Sequence, residues 1–452
     1  MNPSRDDARI VVIGCGHVGL VMAAGLAELG HDVVGVDIDD VLIERLRRGE
    51  THIHEPGLPE LVASGLSNGR LSFTTQYDTT IPNAPYIFLA VDTPQTLGGA
   101  ADLRSIRAAV GSIVANLNGT SPIIINKSTS PIGTGETIEG LVSEALMARD
   151  RAPRIVSNPE FLRQGHAVWD FFHPERIVVG SRSRSDAESV ARLYQQLPGE
   201  VILTDLRTAE MVKYVANSFL ATRISFINEI ARLCEQIGTD IDTVVAGVAL
   251  DPRIGDHFFR PGIGFGGSCL PKDLAALRYI GETFGVATPV LSAVQDVNLA
   301  QRTSAVRRLR ARLGSLENRV IGVWGLTFKG GTEDIRESPA MDVVGLLRNE
   351  GAIIHAFDPS VAPGDPRIPN VLHGGLRSSA IDAATGSDAL AILTDWPDFK
   401  SVPLDEVKSA MHGNVIFDGR NVLVQSEAEA LGFAYLGVGR VSRAQRRRAG
   451  DA

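Results

Sequence analysis

Cysteine is scarce in this chain, which has three in 452 residues: Cys15, Cys234 and Cys269. Three cysteines cannot form a disulfide framework for a protein of this length, and no two have the spacing of metal ligands. We therefore expect reduced thiols, no metal centre and a cytoplasmic location. Cys15 and Cys234 are interpreted as structural, because one lies in a glycine turn and the other on an apolar helix face.

Long apolar runs are also lacking, since none approaches the roughly 18 residues of a membrane-spanning helix. The first residues, MNPSRDDAR, have no apolar core of a signal peptide. A formal net charge of −9 argues against a broad nucleic-acid-binding surface. The basic run at residues 440–448 predicts an exposed tail rather than a membrane or nucleic-acid contact.

The remaining composition, with 44% hydrophobic and 21% charged residues, is typical of a globular protein of two or three domains. Continuously apolar runs alternate with helical stretches, which predicts parallel sheets covered on both faces. We predict strands at residues 9–13, 31–36, 86–91, 122–125, 154–156, 319–324, 352–357, 389–393 and 414–417. Helices are predicted from about 205 to 237 and from about 289 to 313, from their three- and four-residue apolar spacing.

These patterns predict an α/β fold with two Rossmann-like domains joined by a helical connector. The boundaries are 1–205 for a cofactor-binding domain, 206–312 for the connector and 313–440 for the second α/β domain, with a basic flexible tail at 441–452. The second domain repeats the strand and glycine turn of the first, because Arg319–Gly325 resembles Arg9–Gly16.

A dinucleotide fingerprint opens the chain. Gly14, Gly16 and Gly19 follow a predicted strand and begin a helix, which is the context that the motif requires. Asp37 ends the next strand, where a carboxylate hydrogen-bonds the adenosine ribose of NAD and repels the 2′-phosphate of NADP. An ordinary turn with a capping aspartate is the alternative. NAD is the predicted cofactor, and the second domain lacks the three glycines.

A second glycine-rich segment surrounds one thiol. Glycines at 262, 264, 266 and 267 precede Cys269, and Pro271 is suited to the first turn of a helix. A helix N-terminus and the neighbouring Lys272 both favour a thiolate. We therefore predict that Cys269 is a nucleophile; the alternative, an inert core thiol, needs no glycine-rich loop.

Polar residues in two other regions complete the candidate site. Lys213 and Asn217 lie four residues apart and share a helix face, where a cation and an amide stabilise an oxyanion. Their apolar neighbours favour burial, although a solvated helix face is the alternative. Thr129 and Glu160 follow predicted strands, at the sheet edge where α/β proteins bind ligands. Glu160 could activate water and Thr129 could position it, unless both are capping residues.

Together these segments resemble the UDP-glucose/GDP-mannose dehydrogenase family over nearly the whole chain. The resemblance rests on several ordered motifs: residues 14–19, 55–58, 127–133, 158–165, 213–220, 226–229, 262–273, 328–329 and 336–340. It implies a double oxidation of a nucleotide sugar at C6, in which Cys269 forms a thiohemiacetal and then a thioester. Lys213 and Asn217 would stabilise the oxyanion, Asp273 would handle protons, and Glu160 with Thr129 would assist hydrolysis.

The resemblance also assigns binding residues. Those expected to contact NAD, besides the glycines and Asp37, are Val18, Thr129, Gln164, Lys272 and Arg336. Those expected to contact the nucleotide sugar are Glu160, Phe161, Leu162, Arg163, Gln164, Lys213, Asn217, Phe258, Phe259, Arg260, Gly262, Gly266 and Lys329, with Arg253 reaching the sugar of a neighbouring subunit. A homodimer or higher homo-oligomer is the implied assembly.

Two positions depart from the family pattern. Gln164 replaces the usual glutamate, so any base function in hydrolysis falls to Glu160, and Leu42 replaces a lysine expected near the adenosine phosphate. A single-step β-hydroxyacid dehydrogenase would need no thiol, and an epimerase would need Tyr-x-x-x-Lys, which is missing. GDP-mannose, another UDP-hexose and a catalytically silent NAD-binding protein remain alternatives to a UDP-glucose enzyme.

Overall fold

The computed structural model describes residues 8–96, 98–146 and 152–441. The predicted basic tail lies outside these ranges from residue 442 onward. The chain forms two compact units, Met1–Ala216 and Asn217–Ala452. The predicted connector and the C-terminal sheet share the second unit, so the boundary at 312/313 stays a prediction. Within the described ranges, no helix is long and apolar enough to cross a membrane.

An eight-stranded sheet forms the centre of the first unit, in the order β3-β2-β1-β4-β5-β6-β7-β8. Neighbouring strands are parallel except β6 and β7, which are antiparallel. The strands are β1 Arg9–Ile13, β2 Asp32–Val36, β3 Leu71–Thr74, β4 Tyr86–Leu89, β5 Ile123–Asn126, β6 Arg154–Ser157, β7 Arg176–Ser181 and β8 Glu200–Thr204.

Helices cover both faces of this sheet, as its continuously apolar strands predict. Along β1, Ile10 and Val12 pack into one hydrophobic cluster, whereas Val11 and Ile13 pack into another. The helices of this unit are α1 His17–Glu28, α2 Asp40–Arg47, α3 Leu58–Ser67, α4 Arg104–Ala115, α5 Thr134–Leu146, α6 Ala167–Phe172 and α7 Arg184–Arg192. The 32-residue α8, Leu206–Ile237, continues into the second unit.

The second unit contains a five-stranded, wholly parallel sheet in the order β10-β9-β11-β12-β13. Its strands are β9 Val320–Trp324, β10 Ile353–Phe357, β11 Ala389–Ile392, β12 Val415–Asp418 and β13 Ala434–Gly437. Its helices are α9 Ile241–Ala249, α10 Leu270–Thr283, α11 Pro289–Leu313, α12 Pro339–Asn349, α13 Asn370–His373, α14 Ala380–Ala384, α15 Leu404–Ala410 and α16 Gln425–Ala430. The predicted α/β architecture is therefore confirmed.

Each of the nine predicted strands is present within a few residues, but four further strands were not predicted: β3, β7, β8 and β13. Two of them carry weak signals, since β3 has only two buried residues and β8 has none. β7 contains the buried run Ile177–Val179, so its sequence did carry a signal.

Candidate active site

The first glycine turn leads directly from β1 into α1. Gly14 has a φ of 94°, a conformation that favours glycine, and its N–H donates to the Val36 carbonyl at 2.8 Å. A Cβ on Gly19 would lie 1.8 Å from the Gly14 carbonyl oxygen, whereas a Cβ on Gly16 would have no protein atom within 4 Å. The fold therefore requires glycine at 14 and 19, but protein packing does not require it at 16.

Asp37 lies directly after β2, and its carboxylate accepts the backbone N–H of Cys15 at 2.7 Å and of Asp39 at 3.1 Å. A half-buried carboxylate therefore borders the glycine turn, as the sequence motif predicts for a ribose-binding group. Cys15 is fully buried, and burial, with a smaller contribution from the Asp37 charge, raises the pKa of its thiol. This agrees with a structural role for Cys15.

Three charged side chains are buried at the carboxyl ends of β5 and β6 and on α8. The Lys213 ammonium lies 2.8 Å from Glu160 Oε1. Lys127 donates to Asn158 Oδ1 at 3.1 Å. Burial raises the pKa of Glu160, but Lys213, the Leu162 N–H and Lys127 together hold it below its usual value. Glu160 is therefore an ionised carboxylate inside the protein.

A small cavity in the same unit brings together two predicted catalytic residues. Thr129 and Lys213 line it with Asn126, Ser128, Ser130, Ser157, Pro159 and Glu210. The Thr129 carbonyl accepts the Thr93 hydroxyl at 2.5 Å, which fixes the backbone of the loop. Lys213 therefore lies near the hydroxyl-bearing loop that follows β5.

The loop after β6 carries the next predicted contacts. The Leu162 N–H donates to Glu160 Oε2 at 2.5 Å, and the Arg176 guanidinium lies 3.9 Å from the centroid of the Phe161 ring. Arg163 is ion-paired with Asp170 at 2.6 Å, and Gln164 is half-buried. The loop is anchored by Glu55, whose buried carboxylate accepts the N–H groups of residues 165 and 167.

Lys213 and Asn217 are both buried, as predicted, but the apolar neighbours on which the prediction was based are not buried with them. Val215 is 51% and Phe219 is 60% exposed on another face of α8. The buried face instead carries Glu210, Lys213, Asn217 and Ser218. The two side chains also have separate protein partners, because Lys213 pairs with Glu160 and the Asn217 amide donates to Asp273 Oδ2 at 2.6 Å.

In the second unit, Cys269 is the N-cap residue of α10 and its thiol is exposed, while Pro271 lies in the first turn. The Lys272 ammonium pairs with Asp273 at 2.6 Å. The Asp273 carboxylate therefore offsets part of the positive charge that was predicted to favour the Cys269 thiolate. The Asp273 carboxylate is fully buried and joins Lys272 to Asn217. The predicted thiol, amide and carboxylate are thus grouped around the start of α10.

The glycine-rich loop before Cys269 is held by the buried Asn228 and the half-buried Arg420. The Gly262 N–H donates to Asn228 Oδ1 at 2.7 Å, and Arg420 donates to the Gly264 carbonyl at 2.9 Å. A Cβ on Gly266 would lie 2.1 Å from the Glu337 carbonyl oxygen. The backbone packing of this loop therefore requires glycine at 266.

The other predicted contacts of the second unit have mixed surroundings. Arg253 and Arg336 are exposed and pair with Asp251 and Asp334, respectively. Phe258 has a φ of 56° and is partly exposed, whereas Phe259 is buried beneath the Arg223 guanidinium. Arg260 is exposed, and the Lys329 ammonium lies 5.7 Å from the centroid of the Phe328 ring.

Three polar residues near these groups were not predicted: Lys127, Glu210 and Arg420. Arg420 follows β12 and donates to the carbonyls of Leu393, Gly264 and Phe328. Lys127 comes directly after the buried β5 and Arg420 lies two residues after the buried β12, so the rule that identified Thr129 and Glu160 also applied to them. Glu210 lies three residues before Lys213 and shares its helix face.

Comparison with known proteins identifies the family. The chain matches three models of the UDP-glucose/GDP-mannose dehydrogenase family: the NAD binding domain over 8–198, the central domain over 207–300 and the UDP binding domain over 322–425. UDP-glucose 6-dehydrogenase TuaD of Bacillus subtilis is 43% identical over 96% of this chain and 93% of its own. A UDP-glucose 6-dehydrogenase of Rhizobium meliloti is 39% identical over 96% of this chain and 99% of its own.

A solved structure extends the comparison to the fold. The UDP-glucose dehydrogenase of the hyperthermophilic archaeon Pyrobaculum islandicum is 37% identical, with a TM-score of 0.89, and the match covers 97% of this chain and 99% of that one. The matched NAD binding domain contains the glycine turn and Asp37, so the predicted cofactor is confirmed. This chain belongs to the UDP-glucose/GDP-mannose dehydrogenase family.

Proposed function

We propose that this protein oxidises the C6 alcohol of UDP-glucose to the carboxylate of UDP-glucuronate, with two molecules of NAD as hydride acceptors. The observation that carries the proposal is the exposed Cys269 at the start of α10, beside the buried Asp273–Asn217 pair, in a chain of this family. The curated relatives reported above are UDP-glucose 6-dehydrogenases, which favours this sugar nucleotide.

The residues around the first glycine turn fit NAD. Gly16 leaves room for a close approach to the backbone, the N-terminus of α1 attracts phosphate, and Asp37 offers a carboxylate for a ribose diol. We propose Gly14, Gly16, Val18, Gly19, Asp37, Thr129, Gln164, Lys272 and Arg336 as the NAD contacts. When bound, NAD supplies the acceptor for the hydride lost in each oxidation.

The protein groups would handle the remaining chemistry. The alcohol must lose a proton as its C–H bond breaks, and a buried ammonium such as Lys213 stabilises the developing oxyanion. The Cys269 sulfur would then add to the aldehyde, which retains it until the second oxidation gives a thioester. Water would hydrolyse the thioester and regenerate the thiol.

Two buried carboxylates have environments suited to different tasks in this scheme. Glu160 is held ionised by Lys213 and could accept a proton from the attacking water, which Thr129 would position. Asp273 holds the Asn217 amide and the Lys272 ammonium next to the cysteine in the chain, and would assist proton transfer. Sugar-nucleotide contacts are proposed for Glu160, Phe161, Leu162, Arg163, Gln164, Lys213, Asn217, Arg253, Phe258, Phe259, Arg260, Gly262, Gly266 and Lys329.

The proposal is tested by the amount of NADH formed per sugar at completion, with UDP-glucose, UDP-N-acetylglucosamine and GDP-mannose each limiting. We expect two NADH from UDP-glucose. One NADH would show that the reaction stops at the aldehyde, and would direct attention to Gln164. No NADH from UDP-glucose would reject the proposed substrate, and no NADH from any of them would favour a catalytically silent NAD-binding protein.

The role of the thiol is tested by Cys269→Ser, with Cys234→Ala as the matched control. Cys234 is a buried core thiol, so its removal eliminates a thiol elsewhere in the fold. We expect Cys269→Ser to lower uronate formation at least about a thousandfold, because an alkoxide is a far poorer nucleophile and leaving group than a thiolate at neutral pH. Normal uronate formation by Cys269→Ser would rule out the covalent mechanism.

We also propose a homo-oligomer, at least a dimer, in the cytoplasm. α8 exposes Phe219, Phe226, Leu233 and Ile237, each more than half exposed, and a second copy could cover them. A content of only three cysteines is compatible with a reducing compartment. Sedimentation at micromolar concentration would distinguish a dimer from the 48.3-kDa monomer.

A further inference from the structure

Lys127 is a buried lysine that the scheme above does not use. It follows the last residue of β5, and its ammonium donates to Asn158 Oδ1 at 3.1 Å. The Tyr194 hydroxyl donates to the same oxygen at 2.8 Å, and the ammonium lies 5.5 Å from the centroid of the Tyr194 ring. A buried ammonium is costly unless other charges compensate for its desolvation.

The compensating charge is that of Glu160. The pKa of Lys127 is lowered to about 8, chiefly by burial. The Glu160 charge opposes this shift, and the Lys213 charge adds to it. In return, Lys213 and Lys127 are the two cations that lower the pKa of Glu160. Lys127 bonds Asn158, two residues before Glu160, and Glu160 pairs with Lys213 at 2.8 Å, so the three side chains form one cluster of two ammonium groups and one carboxylate. Arg176, which stacks on Phe161, instead interacts with Glu175.

This composition matters because Lys213 and Glu160 neutralise each other. A neutral ion pair gives only weak stabilisation to an oxyanion, since the field of the carboxylate opposes that of the ammonium. A second buried ammonium gives these three side chains a net charge of +1. Glu210, which lines a cavity with Lys213, is instead bonded to the Gly133 and Gly135 N–H groups. The net positive charge favours the ionised form of Glu160, which is the form that can accept a proton from water.

We infer that Lys127 is a positioning residue of the reaction, whose charge keeps Glu160 ionised and gives the Lys127–Glu160–Lys213 cluster the net positive charge that stabilises an oxyanion. This inference rests on the proposed function, because it assigns Lys127 a part in the same oxidation and hydrolysis. It predicts that the charge of Lys127 matters more than its hydrogen bond to Asn158.

Three variants separate charge from structure. Lys127→Gln removes the charge, Lys127→Arg retains it, and Tyr194→Phe removes the other hydrogen bond to Asn158 Oδ1 without changing any charge. If Lys127→Gln does not fold, Lys127→Met keeps the length and apolar packing of the stem. Thermal unfolding of every variant establishes that the compared proteins are folded.

We expect Lys127→Gln to lower kcat about tenfold or more, with KM for UDP-glucose changed less than about threefold, because an oxyanion forms only during the reaction. The acid limb of its kcat–pH profile should move to higher pH, since one cation that lowers the pKa of Glu160 is gone. Lys127→Arg should recover most of kcat, and Tyr194→Phe should leave the acid limb in place.

A titration that needs no turnover completes the test. The carboxyl carbon of Glu160 can be followed by NMR in protein labelled with 13C-glutamate, and assigned by its loss in Glu160→Gln. We expect Glu160 to titrate at higher pH in Lys127→Gln than in the wild type. Unchanged titration, or equal losses of kcat in Lys127→Gln and Lys127→Arg, would overturn the inference. Failure of the wild type to form NADH would instead overturn the proposed function, and the titration would still report on the cluster.

Discussion

At the scale of single residues, positions 16 and 19 need glycine for different reasons. A Cβ on Gly19 would collide with the Gly14 carbonyl inside the fold, whereas a Cβ on Gly16 would meet no protein atom within 4 Å. Both residues have negative φ, so neither needs glycine for its backbone conformation. The requirement at Gly19 is therefore packing, and for Gly16 we propose the approach of the NAD diphosphate as the requirement.

We predict opposite outcomes for alanine at these two positions. Gly16→Ala should leave the melting temperature within about 2 °C of the wild type and raise KM for NAD about tenfold or more. Gly19→Ala should destabilise the protein by about 2 kcal/mol or more, because the collision is with backbone. Thermal unfolding without cofactor and NAD saturation curves would measure both; a stable Gly16→Ala with unchanged KM would remove Gly16 from the cofactor site.

The sequence predicted the burial of two candidate side chains better than it predicted their partners. Four-residue spacing placed Lys213 and Asn217 on one helix face, and the buried face of α8 contains both. Their pairing with Glu160 and Asp273 could not be predicted, because those partners come from distant parts of the chain. A four-residue spacing places two side chains on the same face of a helix. The tertiary fold decides whether that face is buried and which side chains it contacts.

At the scale of secondary structure, a carboxylate from α8 caps the start of α5. Both oxygens of Glu210 are used, because Oε2 accepts the Gly133 N–H at 2.6 Å and Oε1 accepts the Gly135 N–H at 2.7 Å. Ser157 adds a hydroxyl donor at 3.1 Å. Burial nevertheless outweighs these bonds and raises the pKa of Glu210 to about 7.

This pKa predicts a stability that depends on pH between about 4.5 and 7. The folded protein holds the Glu210 proton more tightly than the unfolded chain does. The resulting stabilisation is fully present below pH 4.5 and is lost as the pH rises through 7. Relative to Glu210→Gln, the wild type should lose up to about 3 kcal/mol of unfolding free energy across this range.

Urea unfolding of the wild type and Glu210→Gln at several pH values would measure this difference. The glutamine variant has its own constant penalty, because its amide nitrogen faces a backbone N–H, so only the pH-dependent part tests the prediction. Asp205→Asn is a suitable control, since Asp205 caps the first turn of α8 from an exposed position. A difference between wild type and Glu210→Gln that is constant with pH would contradict the assignment.

Most strands that are buried on both faces were predicted from the sequence, although the buried β7 was missed, and the exposed β8 was not predicted. β1, β4 and β5 are continuously apolar because helices cover both faces, and the sequence identified all three. β8 has no buried residue and lies at the end of the sheet order, next to β7, so little in its side chains distinguishes it from a loop. β6 and β7 pair antiparallel although α6 lies between them in the chain, and apolar patterns do not reveal the direction of a strand.

At the scale of the whole molecule, the chain contains two versions of one glycine turn. Gly325 follows β9 with a φ of 92°, and its N–H donates to the Phe357 carbonyl at 2.8 Å, as Gly14 does to Val36. Asp358 follows β10 and accepts the Leu326 N–H at 2.7 Å, as Asp37 accepts that of Cys15. The resemblance seen in the sequence between the two domains is therefore present in the backbone.

The two turns differ in the features that bind a dinucleotide. α1 begins three residues after Gly14, whereas α12, the next helix after Gly325 in the described chain, begins fourteen residues later, at Pro339. The second turn thus presents no helix N-terminus to a diphosphate. Asp358 is fully buried and also accepts the hydroxyl of Thr327 and the indole N–H of Trp396, so its oxygens are already used.

We therefore predict that each chain binds one NAD, at the first turn alone, although the proposed reaction consumes two NAD per sugar. Titration calorimetry without sugar should give a stoichiometry of one per chain.

Asp37→Ala should weaken this binding about tenfold or more, because it removes the carboxylate proposed to hold the ribose. A folded Asp358→Asn variant should bind NAD as the wild type does. Two equivalents per wild-type chain, or loss of binding in a folded Asp358→Asn variant, would mean that the second turn also takes a dinucleotide. A single NAD site requires the first NADH to leave before the second oxidation, and the covalent bond to Cys269 is what would retain the aldehyde during that exchange.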